Sequence, residues 1–254
     1  MLAFFRTRPD EKTPPAKAAV SLVIAAALIV GFFWLSLSRI DYRPDFSFLP
    51  EFKIRIWDGF WLTVAVSLAS MVVSLLLGSL AAGGEMSRWL PLRYLSRAYV
   101  VFIRGTPLIM QIYLFFYLVG TAWGVENRFL AGVIILSVFQ GAYISEILRG
   151  SFNSIEASQL ESARAVGFSP VQTLRFVIIP QMTARTLPAL AGQFASSLLS
   201  MISVTELTQT MREISAVNLN LVECYLLLGV LYLILTLPVV LVSNLLEKRF
   251  RYEA

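Results

Sequence analysis

From Ala18 to Ser38 the sequence runs without a charged residue, a length sufficient to cross the ~30 Å hydrocarbon core of a bilayer as one helix. Lipid offers no hydrogen bonds, so a backbone placed there must satisfy its own N–H and C=O groups, as a helix does. Comparable apolar stretches recur at about 58–82, 106–120, 129–148, 188–204 and 221–245. The expected fold is therefore all-α: a polytopic membrane protein with six transmembrane helices. The basic start of the chain also fits a secretory signal. Against that, the apolar run exceeds a typical h-region and ends in bulky Phe32, Phe33 and Trp34, which favours an uncleaved span.

Composition narrows the chemistry. The hydrophobic fraction of 57% is above that of soluble domains. With no histidine and the single Cys224 set among apolar residues, disulfide frameworks and the common zinc sites are excluded, and no metal site is expected. The net charge of +5 does not point to nucleic acid, because the basic residues flank apolar segments and form no block. Segments 1–17, 83–104, 149–187 and 246–254 hold fifteen Lys and Arg, whereas 39–57, 121–128 and 205–220 hold six. The positive-inside rule then puts both termini in the cytoplasm. The expected organisation is a cytoplasmic tail at 1–17, a first span at 18–38 and an outer loop at 39–57. The main transmembrane body covers 58–247 with a polar cytoplasmic loop at about 150–187, and 248–254 form a second tail. Gly83 to Arg104 reads as short, basic and amphipathic, and Thr106 with Pro107 as the N-cap and first turn of the third span.

The polar loop carries its own punctuation. Ser158 and Glu161 have capping-box spacing, and Gly167 supplies a left-handed helix stop. Ser169, Pro170 and Gln172 open a second helix that Pro180 is expected to end. A first helix from about Gln159 to Val166 has two turns, too few to be stable alone in water. Its face of Leu160, Ala163 and Gly167 is small and shallow, so it needs a groove outside itself. The plainer reading is that Glu161 only caps a loop helix. No G-x-x-x-x-G-K-[ST] loop occurs: the nearest approach, Gly78 to Gly83, continues with Gly84 and Glu85. The chain is expected to hydrolyse nothing, so ATP-driven work needs a second polypeptide.

Glu161-Ser162-Ala163, Gly167 and Val177-x-Ile179-Pro180 resemble the EAA signature (EAA-x3-G-x9-I-x-L-P) of the membrane subunits of bacterial binding-protein-dependent ABC importers. Ser replaces the first Ala, and Val and Ile replace Ile and Leu. Arg104-Gly105-Thr106-Pro107-Leu-Ile-Met-Gln111 resembles the RGTPL-x-x-Q segment of the polar amino acid branch, and Gly141-Ala-Tyr143-Ile-Ser-Glu146-Ile-Leu-Arg149-Gly150 its GAY-x-x-E-x-x-RG segment. The resemblance implies a five-span core with an added N-terminal helix, in a bacterial inner membrane. It implies that the loop is a coupling helix gripped by a cytoplasmic ATPase, through Glu161, Ser162, Ala163, Gly167, Phe168, Ser169 and Pro170. Arg104, Gly105, Thr106, Pro107, Arg149, Gly150 and Pro180 are then structural motif residues. Arg104 reads as a phosphate-facing anchor at the membrane edge or as an intersubunit contact. ATP and Mg would be bound by the ATPase and no cofactor by this chain. The implied partners are two ATPase subunits, a second permease subunit (the same chain or a paralogue), an extracytoplasmic solute-binding protein and the lipid bilayer.

Polar groups inside spans are costly in lipid and mark candidate substrate paths. These are Gln140 and Tyr143, with Glu146 nearer the edge, on the fourth span, and Gln193, Ser196, Ser197 and Ser200 on the fifth, with Glu206 at its outer end. For each serine the competing role is helix packing. The branch commonly carries a Lys-Asp pair in the fifth span, and this chain has no charge there. The runner-up function is a secondary transporter driven by an ion gradient, which predicts inverted repeats and paired midplane charges.

Overall fold

Residues 14–39, 42–198 and 206–250 are described by a computed structural model, and they form helices joined by short connections. The chain makes two compact units, divided between Phe46 and Ser47. In the first, α1 (Pro15–Arg39) is apolar and long enough to span a membrane. Ser36 and Ser38 turn their hydroxyls back onto the carbonyls of Phe32 and Leu35, both at 2.8 Å, and so carry no unpaired donor into lipid.

The second unit begins with α2 (Leu49–Glu85). The loop expected up to Trp57 is already helical from Leu49, because Pro50 falls in the first turn, where its missing N–H costs nothing. The basic amphipathic segment is α3 (Leu90–Gly105), and the chain then turns through 113° into α4 (Leu108–Tyr113), which continues as a π-helix to Gly120. Pro107, not Thr106, is the N-cap of α4; the Thr106 hydroxyl instead closes α3 by donating to the Phe102 carbonyl at 2.8 Å. Asn127 caps α5 (Arg128–Asn153) by accepting from the Leu130 N–H at 3.1 Å.

After α6 (Ala157–Ala165) the chain restarts at α7 (Pro170–Thr173) and runs through a π turn at Leu174–Ile178 into α8 (Ile179–Leu198). Pro180 therefore does not end a helix, and Pro188 does not begin one. Pro180 is the second residue of α8, just past the π turn, where the register has already shifted and a residue without N–H is tolerated in the new first turn. The polar stretch before the last span, read from sequence as a loop, forms α9 (Leu207–Asn218), and α10 (Leu221–Phe250) completes the unit. Among the described residues α1, α2, α5 and α10 are long and apolar enough to cross a membrane, and the bent α3–α4 pair makes a fifth crossing if counted as one. The expected end of the fifth span, 199–204, lies outside the described residues.

The heart of the second unit is the seam between α2 and α5. Ser67, Ser70 and Ser74 on α2 and Ser137 and Gly141 on α5 are buried along it. Small residues let the backbones approach, which matters in lipid because packing replaces the hydrophobic force. A methyl group on Gly78 would stand 2.6 Å from Ile144 Cγ2 and 2.9 Å from the Gly141 carbonyl oxygen. Tyr99 of α3 joins the seam by donating to the Val138 carbonyl at 2.6 Å. On the other side, Leu207, Met211 and Ile214 of α9 share a core with Phe48 and Ile56 of the α2 end and Cys224, Leu228 and Tyr232 of α10.

Gly78→Ala is expected to cost ~1–3 kcal/mol by overpacking and to lower the melting temperature of the purified protein in detergent. Gly83→Ala, whose added methyl meets nothing within 4 Å, is expected to melt like the wild type.

Candidate functional site

The polar loop is built as a short helix with two hard ends. At the C-terminus of α6, Gly167 adopts φ 80°, the left-handed conformation that favours glycine. Its N–H reaches the Arg164 carbonyl at 3.0 Å and the Phe168 N–H reaches that of Ala163 at 3.0 Å, which is a Schellman closure. Two residues on, the Ser169 hydroxyl accepts from Gln172 N–H at 3.3 Å while the Gln172 side chain accepts from Ser169 N–H at 2.8 Å. The capping box expected at Ser169 is present. The one expected at Ser158 is not: α6 starts earlier, with Glu156 as N-cap, and the Ser158 hydroxyl donates to the Glu156 carboxylate at 3.0 Å. Glu161 is thereby free of any capping duty and stands exposed with Ser162.

α6 buries only Ala163 and packs chiefly on the segment that follows it. Gln181 donates to the Gln159 side chain at 2.5 Å across that contact. The remaining surface is left open, and it is partly apolar: Val166, Phe168, Val171 and Phe176 are exposed within an eleven-residue stretch. At the base of the loop, Arg185 of α8 donates to the carbonyl of Ser154 at 2.7 Å and to its hydroxyl, and Thr186 donates to the Ser151 hydroxyl at 3.1 Å. These bonds clamp the end of α5 to α8. Pro180 lies between the loop and the clamp, at the start of α8.

The two remaining motifs meet each other. Gln111 donates to the Ile103 carbonyl at 2.6 Å, the Thr106 carbonyl at 3.1 Å and the Thr106 hydroxyl at 2.7 Å, so one side chain satisfies the carbonyls that the sharp bend leaves open. Arg104 pairs with Glu146 at 2.9 Å and lies over the Tyr143 ring, 5.4 Å from its centre. Arg149 grips the other oxygen of Glu146 at 2.7 Å and reaches Glu85 at 3.5 Å. Gly105 and Gly150 have open space where a side chain would stand.

The intramembrane candidates do not converge. Gln140 is fully buried; Ser74 donates to its carbonyl oxygen at 3.4 Å, and its amide nitrogen has no partner among the described residues. Tyr143 belongs to the Arg104 contact and also packs on Phe139. Gln193 is half-buried on α8. Ser200 and the side chains of Ser196 and Ser197 lie outside the described residues. Glu206 is fully buried at the N-cap of α9, where it accepts from Thr208 N–H at 2.9 Å, Gln209 N–H at 3.3 Å, Thr63 Oγ1 at 3.3 Å and Tyr232 Oη at 3.1 Å. Thr63 in turn accepts from Leu207 N–H at 3.1 Å. Ser74 and Thr63 sit about 16 Å apart along α2 at 1.5 Å per residue, so Gln140 and Glu206 mark different levels of the unit. Sequence reading missed Thr63 and Tyr232, whose roles arise only from tertiary contact. The helix behind Glu206 did carry a signal, in Leu207, Met211 and Ile214 at i, i+4 and i+7.

A model of the family described as binding-protein-dependent transport system inner membrane component matches residues 74–252. The probable glutamine ABC transporter permease protein GlnM of Bacillus subtilis (strain 168) is 32% identical over 197 residues, covering 76% of this chain and 91% of that protein. The L-cystine transport system permease protein TcyB of the same organism is 34% identical over 203 residues, covering 77% and 87%. Among solved structures, an amino acid ABC transporter crystallised with histidines aligns with a TM-score of 0.74 at 29% identity, over 82% of this chain and 100% of that one. The inward-facing MetNI methionine ABC transporter aligns with a TM-score of 0.60 at 16% identity, over the same shares, a likeness of fold.

Glu206→Ala would leave the part-buried N–H groups of Thr208 and Gln209 without their acceptor; it is expected to cost ~1–3 kcal/mol, read as a lower melting temperature of the purified protein in detergent.

Proposed function

Because the chain belongs to the family of binding-protein-dependent transport system inner membrane components, we propose that it imports polar amino acids or close analogues as a permease subunit. It is the membrane component of an ATPase-coupled importer, and the ion-gradient reading falls away, since its relatives and solved neighbours are ABC transporters. The substrate class is suggested by relatives named for glutamine and L-cystine.

The observation that carries the coupling role is α6 itself, a short helix closed by Gly167 and left with an open polar and apolar surface. Such a helix is held by what it docks into. Its proposed occupant is the groove of a cytoplasmic ATPase subunit, with Glu161, Ser162 and Phe168 as contacts and Ala163 packed inward. ATP and Mg belong to that partner, and this chain is non-catalytic. Its own part is mechanical: the capped restart at Ser169 and Pro170 passes displacement of α6 into α8, a hinge-type transfer. Closure of the ATPase pair draws the two coupling helices of a permease dimer together and opens the outer face to the binding protein; reopening returns the path inward. Gln140, Gln193, Ser196, Ser197, Ser200 and Glu206 remain the proposed polar lining, with Gln140 favoured by its buried amide nitrogen, which has no partner among the described residues. We assign six spans, counting α1, the bent α3–α4 crossing and the fifth span expected from the sequence at about 188–204. Both termini are assigned to the cytoplasm of an inner membrane by the excess of Lys and Arg.

Proteoliposomes holding the full complex should take up labelled glutamine or cystine only with ATP inside and binding protein outside. Gly167→Asp forces a side chain into a φ of 80° and is expected to lower uptake by at least about tenfold, while the protein still inserts. Wild-type uptake by this variant, or uptake abolished by an uncoupler and indifferent to ATP, counts against the assignment.

A further inference from the structure

The end of α2, the end of α5 and one stripe of α3 enclose a cleft of about 360 Å³ whose walls include Glu85, Arg93, Arg97, Arg104, Glu146 and Arg149. Four guanidinium groups face two carboxylates, and the internal ion pairs do not use them all. Arg104 and Arg149 share Glu146, and Arg149 also reaches Glu85. Arg93 spends Nε and Nη2 on the Ser87 carbonyl, at 2.8 and 2.6 Å. Arg97 is exposed and makes no hydrogen bond or ion pair among the described residues. The cleft thus keeps a positive excess and free donors, in a volume that admits a phosphodiester with several waters at roughly 30 Å³ each.

Its position is equally specific. Glu85 is the last residue of α2, and Glu146 and Arg149 lie in the last two turns of α5. Both helices are long and apolar enough to cross a membrane, so the cleft opens at the level where a span leaves the hydrocarbon. α3 presents three faces there. Ser96, Val100 and Ile103 are buried, Arg93, Arg97 and Arg104 form the basic stripe, and Tyr94, Leu95, Val101 and Phe102 are exposed. Val101 belongs to both the exposed apolar face and the cleft wall. An amphipathic helix with arginines beside uncovered aromatic and aliphatic side chains is the pattern of one lying in a membrane interface.

We infer that this cleft is a binding site for the headgroup of an anionic phospholipid. The phosphate is received by Arg97 with the free N–H groups of Arg93, and the acyl chains run along Val101 and Phe102. The apolar face singles out a lipid over a free anion or an acidic soluble protein, neither of which has a use for it. The inference needs α3 at a membrane edge and does not depend on which solute is carried.

The test is native mass spectrometry of the full complex, released from nanodiscs of mixed dioleoylphosphatidylglycerol and dioleoylphosphatidylcholine. The wild type should retain phosphatidylglycerol over phosphatidylcholine by about tenfold. Arg97→Gln should lose most of that preference, Arg97→Lys should keep much of it, and Arg212→Gln, on α9, should leave it unchanged. Complex mass and monodispersity report whether each variant is assembled. Equal retention of the two lipids, or an Arg97→Gln variant that binds like the wild type, overturns the site. Release of the phosphatidylglycerol by excess inorganic phosphate would make it a free-anion site, and retention only when the ATPase subunits are stripped away would make it a protein-docking face; either result overturns the proposal.

Discussion

Close approach of α2 and α5 is the constraint on which the second unit rests. In hydrocarbon, helices gain little by hiding apolar surface from one another, so they associate where backbones can come near. Gly78 against Gly141 and Ile144 permits that approach, and Ser137 secures it by donating to the Ser70 carbonyl at 3.1 Å. The other helices attach to this pair: α3 through Tyr99, α9 through Thr63 and its bond to Leu207, and α8 through the clamp on Ser151 and Ser154.

The polar side chains retained in and beside the spans mostly finish jobs that helix geometry leaves undone. Gln111 closes the carbonyls exposed by a 113° bend. Glu206, with Thr63, satisfies the first three N–H groups of α9, which begins among buried side chains where water cannot serve. Glu146 joins two distant motifs by holding Arg104 and Arg149 at once. Gln140 is the departure from this pattern, since its amide nitrogen is buried without a partner among the described residues, at a cost in stability that helix geometry does not explain.

Legibility in the sequence followed the range of the interactions involved. Helices fixed by local patterns were readable: the apolar runs of α1, α5 and α10, the left-handed turn at Gly167 and the capping box at Ser169. Where a local rule met a tertiary one, reading by rule failed. Ser158 has ideal spacing from Glu161, yet Glu156 starts the helix first and takes the serine hydroxyl. Pro180 and Pro188 looked like boundaries, but a π turn and packing on α10 carry the helix through them. α9 was hidden because its hydrophobic stripe is thin and its N-cap is itself buried. The meeting of Arg104 with Glu146 lay beyond any local pattern, being set by how α3 crosses α5.

The clamp of Arg185 and Thr186 on Ser154 and Ser151 has a consequence for how load travels. The polar excursion between those points is a closed staple, with both legs tied at the membrane edge and only its crown free. A pull on the crown cannot stretch one leg against the other. It tilts the two legs as a single plate, so α5 and α8 change angle together, and the pair α5 already makes with α2 becomes the fulcrum.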